Sequence, residues 1–379
     1  PPVEAVVVTR RISFGCALLA ILLGACRQTV VLDDLSPDGG QSGTGGTGVG
    51  PTDASSSDAH CFNTLPLAFE PDTPQVFVAL DRSSAMNATL PDAPSQLDAA
   101  LNALSTVVSS YEPSSGGHNN GNRSPIEFAF LDFPENPLDC SMVQGCCASD
   151  YTETTSYQAF VNAEYACNSN NPPPNCGGQS KSRPTADALR KAVTYFVGGG
   201  TATHGDQHYV LLVTDGDPSG DCYTVTSSDC GDAQYEIATL NAMEVTTEVV
   251  AIGSSATCLN LLAGSEMMTP TVAQTEDALY DALKGIAGTI AQSNCRLTLT
   301  QPPSSDQVAV TFGGTRQQED ASSSDNGWSY GSDDTRIILH GSLCANYISW
   351  LTNPFGSGLQ IYDGCVPSYL GSQPPSSTN

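Results

Sequence analysis

Apolar residues along this chain fall into two alternating kinds of run. Some runs are short and nearly unbroken: "QVFVAL" (75–80), "IEFAFLDF" (126–133), "HYVLLVT" (208–214) and "TEVVAIG" (247–253). Runs this short and this apolar predict strands covered on both faces. Between them the apolar positions recur at helical spacing. Residues 95–111 carry Leu97, Leu101, Leu104, Val108 and Tyr111. "TADALRKAVTYFV" (185–197) sets Leu189, Ala192, Val193 and Phe196 on one face. "AQYEIATLNAMEV" (233–245) and "TEDALYDALKGIAGTIAQ" (275–292) complete the helical set. Thr185, directly after Pro184, suits a helix N-cap. Strand–helix alternation of this kind predicts an α/β fold: a doubly wound, mostly parallel sheet with helices on both faces.

After residue 293 the pattern shortens. "RLTLT" (296–300), "QVAVTF" (307–312), "RIILHG" (336–341) and "LQIYDG" (359–364) read as strands between polar loops. They predict a small C-terminal β subdomain packed by Trp328 and Tyr330, the alternative for these rings being an exposed binding patch. Cys295, Cys344 and Cys365 are expected to staple it to itself or to the main domain.

The N-terminal pattern has another meaning. Arg10 and Arg11 precede an apolar run, Ile12 to Ala25, of 14 residues. That is short for a bilayer span and suits a signal peptide. The run ends in "LLGAC" (22–26), which resembles the lipobox of bacterial lipoproteins. The resemblance implies cleavage before Cys26, lipidation of Cys26 and a membrane anchor. Arg27, where an aspartate would signal inner-membrane retention, implies the outer membrane, facing the periplasm or the cell surface. Residues 36–58, "SPDGGQSGTGGTGVGPTDASSSD", have almost nothing to bury and read as a flexible tether. No GKS or GKT follows its glycines, so they form no phosphate loop.

Charge narrows the partners. With 40 Asp+Glu against 13 Lys+Arg, the net charge of −27 repels phosphate backbones and argues against nucleic acid and anionic lipid surfaces. Of 14 cysteines, Cys16 lies in the signal and Cys26 at the anchor; the twelve others imply up to six disulfides in an exported chain. A zinc cluster among Cys140, Cys146, Cys147, Cys167 and Cys176 has no accompanying histidine and no C-x2-C pairs. Cys222 with Cys230 would close a local loop.

Oxygen donors gather where ligands bind in such sheets, at the carboxyl ends of the strands. Asp81, Ser83 and Ser84 follow the first strand, Thr185 opens a helix, and Asp215 directly follows "YVLLVT" (209–214). Singly these are a turn aspartate, a cap and an Asp-Gly turn. Together they are two carboxylates with hydroxyls, a hard set suited to Mg2+ or Mn2+. Asp215, Asp217, Ser219 and Gly220 also begin like an EF-hand, but Thr226 stands at the twelfth position and a strand precedes the loop. Asp217 and Asp221 read instead as rim charges, with Ser84 as a further rim position.

"ALDRSSAM", "SRPTADAL" and "LLVTDGDP" resemble the three metal-site loops of von Willebrand factor type A (vWA) domains, in the family's order and over residues 74–292. The family pattern is Asp-x-Ser-x-Ser, then Thr, then Asp-Gly. Residue by residue, the resemblance implies that Asp81, Ser83, Thr185 and Asp215 are ligands of a metal-ion-dependent adhesion site. It implies an α/β fold, Mg2+ or Mn2+ as cofactor, and a protein partner whose acidic side chain completes the coordination. The second serine of the pattern is Ala85 here. Where no water replaces that hydroxyl, losing the contact costs about 1.5–3 kcal/mol, roughly ten- to a hundredfold in affinity.

No G-x-S-x-G, H-E-x-x-H or phosphate-loop lysine occurs, and the five histidines fall mostly in loops. The chain is therefore expected not to be an enzyme. The expected organisation is a signal peptide (1–25), lipidated Cys26 and tether (26–60), and a vWA-like domain (61–293) with a Cys-rich insertion (140–176). A β subdomain (294–370) and a disordered tail (371–379) follow. Two functions fit: a surface-anchored, cation-dependent adhesion module, or a metal-independent envelope scaffold that docks partners through the same fold.

Overall fold

The computed structural model describes residues 66–111, 124–134, 182–198, 207–220, 226, 228–254, 256–263, 270–303, 308–319, 326–331, 335–354 and 356–364. The signal, Cys26, the tether, the insertion at 140–176, Asp221, Cys222, Cys365 and the tail lie outside these residues.

Two short strands, β1 (Pro66–Leu67) and β2 (Phe69–Pro71), come first. The chain then enters β3 (Gln75–Asp81), crosses through α1 (Gln96–Tyr111) to β4 (Glu127–Phe133), and resumes at α2 (Thr185–Val197). From there run β5 (His208–Thr214), α3 (Asp229–Ala242), β6 (Val245–Ile252), α4 (Thr257–Ala263), β7 (Thr271–Ala273) and α5 (Glu276–Ala291). The five strands β3–β7 form one sheet in the order β4-β3-β5-β6-β7. Every pairing in it is parallel.

The period of two along each strand explains how both faces are covered. Val76, Val78 and Leu80 of β3, Leu211 and Val213 of β5, and Val250 and Ile252 of β6 pack in one core with α1 and α5. Their neighbours Phe77 and Ala79, Val210 and Leu212, and Val249 and Ala251 pack in a second core with α2, α3 and α4. Each fully buried large side chain contributes about 1.5–3 kcal/mol, so the two layers add substantially to the hydrogen-bonded ladder of the sheet. Caps fix the helix starts: Ser228 accepts from Gly231 N–H at 3.1 Å and Thr275 from Ala278 N–H at 3.1 Å.

The remaining strands are β8 (Arg296–Leu299), β9 (Val308–Phe312), β10 (Thr315–Arg316), β11 (Gly327–Tyr330), β12 (Arg336–His340) and β13 (Leu359–Asp363), with α6 (Gly341–Thr352) between the last two. They form two antiparallel sheets, β1-β13-β9-β10 and β11-β12-β8-β2, around one core. Trp328 lies inside that core at 2% exposure, which decides for packing and against the exposed patch.

The boundary drawn at residue 61 moves. β1 pairs with β13 and β2 with β8, so residues 66–71 belong to the antiparallel module although they precede the parallel sheet in sequence. A disulfide joins Cys295, just after α5, to Cys344 in α6; both lie in the core of the antiparallel module, so of the two expected staples this one ties the module to itself. The local Cys222–Cys230 loop is also corrected: Cys230 of α3 bonds Cys258 of α4. No helix among the described residues is long and apolar enough to cross a membrane.

Candidate functional site

The strand order places the site. From β3 the chain goes to one side, to β4, and later returns to the other side, to β5. The carboxyl ends of β3 and β5 thus flank the topological switch point, where open α/β sheets bind ligands.

Asp81 is the last residue of β3 and is fully buried. Its Oδ1 accepts from Ser83 N–H at 2.7 Å, which turns the chain, and a 3-10 turn (Ser84–Asn87) follows. Met86 in that turn is buried in the first core and pins the loop down. Beside it, Thr214 ends β5 and donates its hydroxyl to Asp81 Oδ2 at 2.7 Å. Asp215 is the next residue. Burial pushes the Asp81 carboxyl up to about 6; its bonds from Thr214 and Ser83 hold the rise back, while the Asp215 charge adds to it. The Ser83 hydroxyl is buried and makes no hydrogen bond of standard geometry, although it lies near enough to Asp81 to oppose the rise weakly.

Thr185 opens α2 and is fully buried, but it is not the N-cap. Pro184 takes that position, and the Thr185 hydroxyl donates to the Arg183 carbonyl at 3.3 Å. The loop before it is tied to the β5 loop by a two-residue antiparallel bridge. Arg183 N–H donates to Ser219 C=O at 2.7 Å, and Ser219 N–H to Arg183 C=O at 2.9 Å. Asp81, with Ser83 bonded to it, and Asp215 thus lie at the carboxyl ends of neighbouring strands, and Thr185 lies two residues beyond the bridge that ties its loop to the one after Asp215.

The side chain that sequence reasoning missed is Arg183. Its Nε donates to Asp215 Oδ1 at 2.8 Å and lies 3.7 Å from Asp81 Oδ2. Nη1 donates to the Asp217 carbonyl at 3.2 Å. Gly216 makes room for it, since a Cβ there would sit 3.0 Å from Arg183 Cζ. The available signal was a cation two residues before Thr185, on a loop read as metal-binding, in a chain with only 13 Lys+Arg.

Asp217, read as a rim charge, has a structural partner as well. Its carboxylate accepts from Cys258 N–H at 2.8 Å and Leu259 N–H at 3.2 Å, capping the start of α4. Ser84 stays half-exposed at the rim, and Ala85 supplies no oxygen.

A six-coordinate Mg2+ or Mn2+ wants oxygen on every side. Here a guanidinium already bridges towards both carboxylates, so the residues as arranged do not fit a divalent ion. Among the described residues, no three His, Cys, Asp or Glu side chains gather as a metal cluster.

No family model matches the chain, and no curated protein matches it. Solved structures do. Proximal thread matrix protein 1 from the mussel byssus is 16% identical over 59% of this chain and 48% of its own, with a TM-score of 0.39. The pilus adhesin SpaC of Lactobacillus rhamnosus GG is 13% identical over 77% of this chain and 38% of its own, also at 0.39. The manganese-loaded TRAP protein of Plasmodium vivax is 15% identical over 58% and 76%, at 0.36. The chain thus spans about half the length of the mussel protein. The five-stranded parallel sheet clad on both faces is itself the vWA-like arrangement that the resemblance implies.

Proposed function

We propose that this chain is a protein-docking module of the bacterial envelope, held by a lipid on Cys26, that meets its partner at the carboxyl edge of the parallel sheet. It binds and does not catalyse. One observation carries this reading: the loops after β3, before α2 and after β5 are tied together at the switch point around a buried polar cluster. Burying Asp81 there works against stability, and unfavourable burial of this kind concentrates at functional sites. The step from a vWA-like fold to docking is analogy, and the site supplies its location.

Two forms of docking remain from the sequence. In one, Asp81, Ser83, Thr185 and Asp215 would hold Mg2+ or Mn2+, whose charge would attract an acidic side chain of the partner. In the other, the same edge docks without a metal. The seat of Arg183 between the carboxylates favours the second.

The test is retention of envelope or extracellular proteins on the immobilised, disulfide-intact chain. Ser84→Trp, at the rim of the edge, is expected to abolish retention. Thr315→Trp, at an exposed position of β10 in the antiparallel module, is expected to leave it unchanged. Equal retention by both variants would move the docking face elsewhere.

A further inference from the structure

We infer that Arg183 is the resident cation of this site, standing where the resemblance calls for a divalent ion, and that the site excludes Mg2+ and Mn2+ for that reason. The guanidinium is held at three points: Asp215 Oδ1 at 2.8 Å, the Asp217 carbonyl at 3.2 Å, and the hollow over Gly216. Its backbone is fixed as well, by the two-way bridge to Ser219. Arg183 is a seated group and not a swinging arm, with only 21% of its side chain exposed.

Charge gives the seat its purpose. Asp81 and Asp215 are the two carboxylates of the cluster, with side chains 0% and 8% exposed. Leaving both uncompensated in a water-poor site is costly, and a planar guanidinium matches carboxylate oxygens well. A divalent ion would have to evict this group and then tolerate its positive charge nearby. Ala85 offers no hydroxyl to reward the exchange.

The consequence for the partner rests on the docking reading above; the exclusion of metal does not. With a divalent ion, the two carboxylates would be neutralised and an acidic side chain drawn in. With Arg183, one negative charge is left over. The site then repels an acidic group, and the partner it fits presents a basic or neutral one.

The experiment is calorimetric titration of Mg2+ and Mn2+ into the exported, disulfide-intact chain, beside Arg183→Gln and the double variant Arg183→Thr/Ala85→Ser, each checked for folding by circular dichroism. The wild-type chain is expected to show no saturable heat through the millimolar range. At least one variant is expected to bind Mn2+ saturably, and adding Asp215→Ala to it should weaken that binding by about tenfold or more. Saturable binding by the wild type that Asp215→Ala removes would overturn the inference. So would two folded variants that gain nothing, or two variants that fail to fold even with Mn2+ supplied, because the ion could then not replace the guanidinium. No partner enters the titration, so its failure is separate from failure of the docking reading.

Discussion

The Thr214 hydroxyl donates to Asp81 Oδ2 at 2.7 Å and joins the ends of two neighbouring parallel strands through their side chains. Both residues are fully buried, and among the described residues the carboxylate also accepts from Ser83 N–H. Thr214→Val keeps the shape and removes the donor. It should cost about 1.5–3 kcal/mol, the value of a hydrogen bond to a charged group, while Thr214→Ser keeps most of it. Urea unfolding at neutral pH measures both.

Asp81 also makes stability depend on pH. Its carboxyl is raised from 3.8 to about 6 by burial. The folded chain therefore holds this proton more tightly than the unfolded one. The contribution is fully present below pH about 3.8 and is lost as pH rises through about 6, a change of about 3 kcal/mol. Other groups titrate in the same window, so the readout is the difference between wild type and Asp81→Asn. Across pH 4 to 7, denaturant midpoints should fall for wild type relative to the variant. A constant difference would show that Asp81 titrates as an ordinary exposed carboxylate.

Asp217 separates a structural role from a rim role. Its carboxylate accepts from Cys258 and Leu259 N–H at the start of α4, the helix that Cys258 also ties to α3. Asp217→Ala should cost about 1–2 kcal/mol, as a lost cap does. Amide exchange in α4 should speed up, and Asp217→Asn should restore part of the protection. Unchanged exchange in the alanine variant would return Asp217 to the rim.

Much of the parallel half was legible because its signals are local. β5 lies at 208–214 as its apolar run indicates, and α1 and α5 fall within one residue of their expected bounds. Asp81 and Asp215 were legible as a pair because strand ends and the switch-point rule locate them without coordinates. What was missed depends on distance in sequence or on small size. The Cys230–Cys258 bond spans 28 residues, and nearness in sequence pointed to Cys222 instead. α4 has only seven residues, too few for a clear period. α6 was readable in principle from Leu343, Tyr347 and Leu351, spaced four apart, but it sits among strands. Arg183 was visible in sequence, yet nothing local says that its side chain turns inwards over Gly216.

The least local feature gives the last prediction. Leu67 of β1 is buried in the C-terminal core beside residues of β8, β9, β12 and β13, more than 220 positions later in the chain. Closing so long a loop is opposed by entropy, but the cost grows only slowly with length, so a few buried contacts suffice to hold the segment. Leu67→Ala removes one of those contacts and should destabilise the antiparallel module by about 2–4 kcal/mol. Leu67→Asp places a charge in the core and should do more, since it has no partner there. Because β1 pairs with β13 and β2 with β8, the loss should spread through both antiparallel sheets. Hydrogen exchange resolved by segment checks this: amides of β9, β12 and β13 should lose protection in the aspartate variant, while those of β3, β5 and β6 keep theirs. Equal loss in both halves would mean that they open as one unfolding unit.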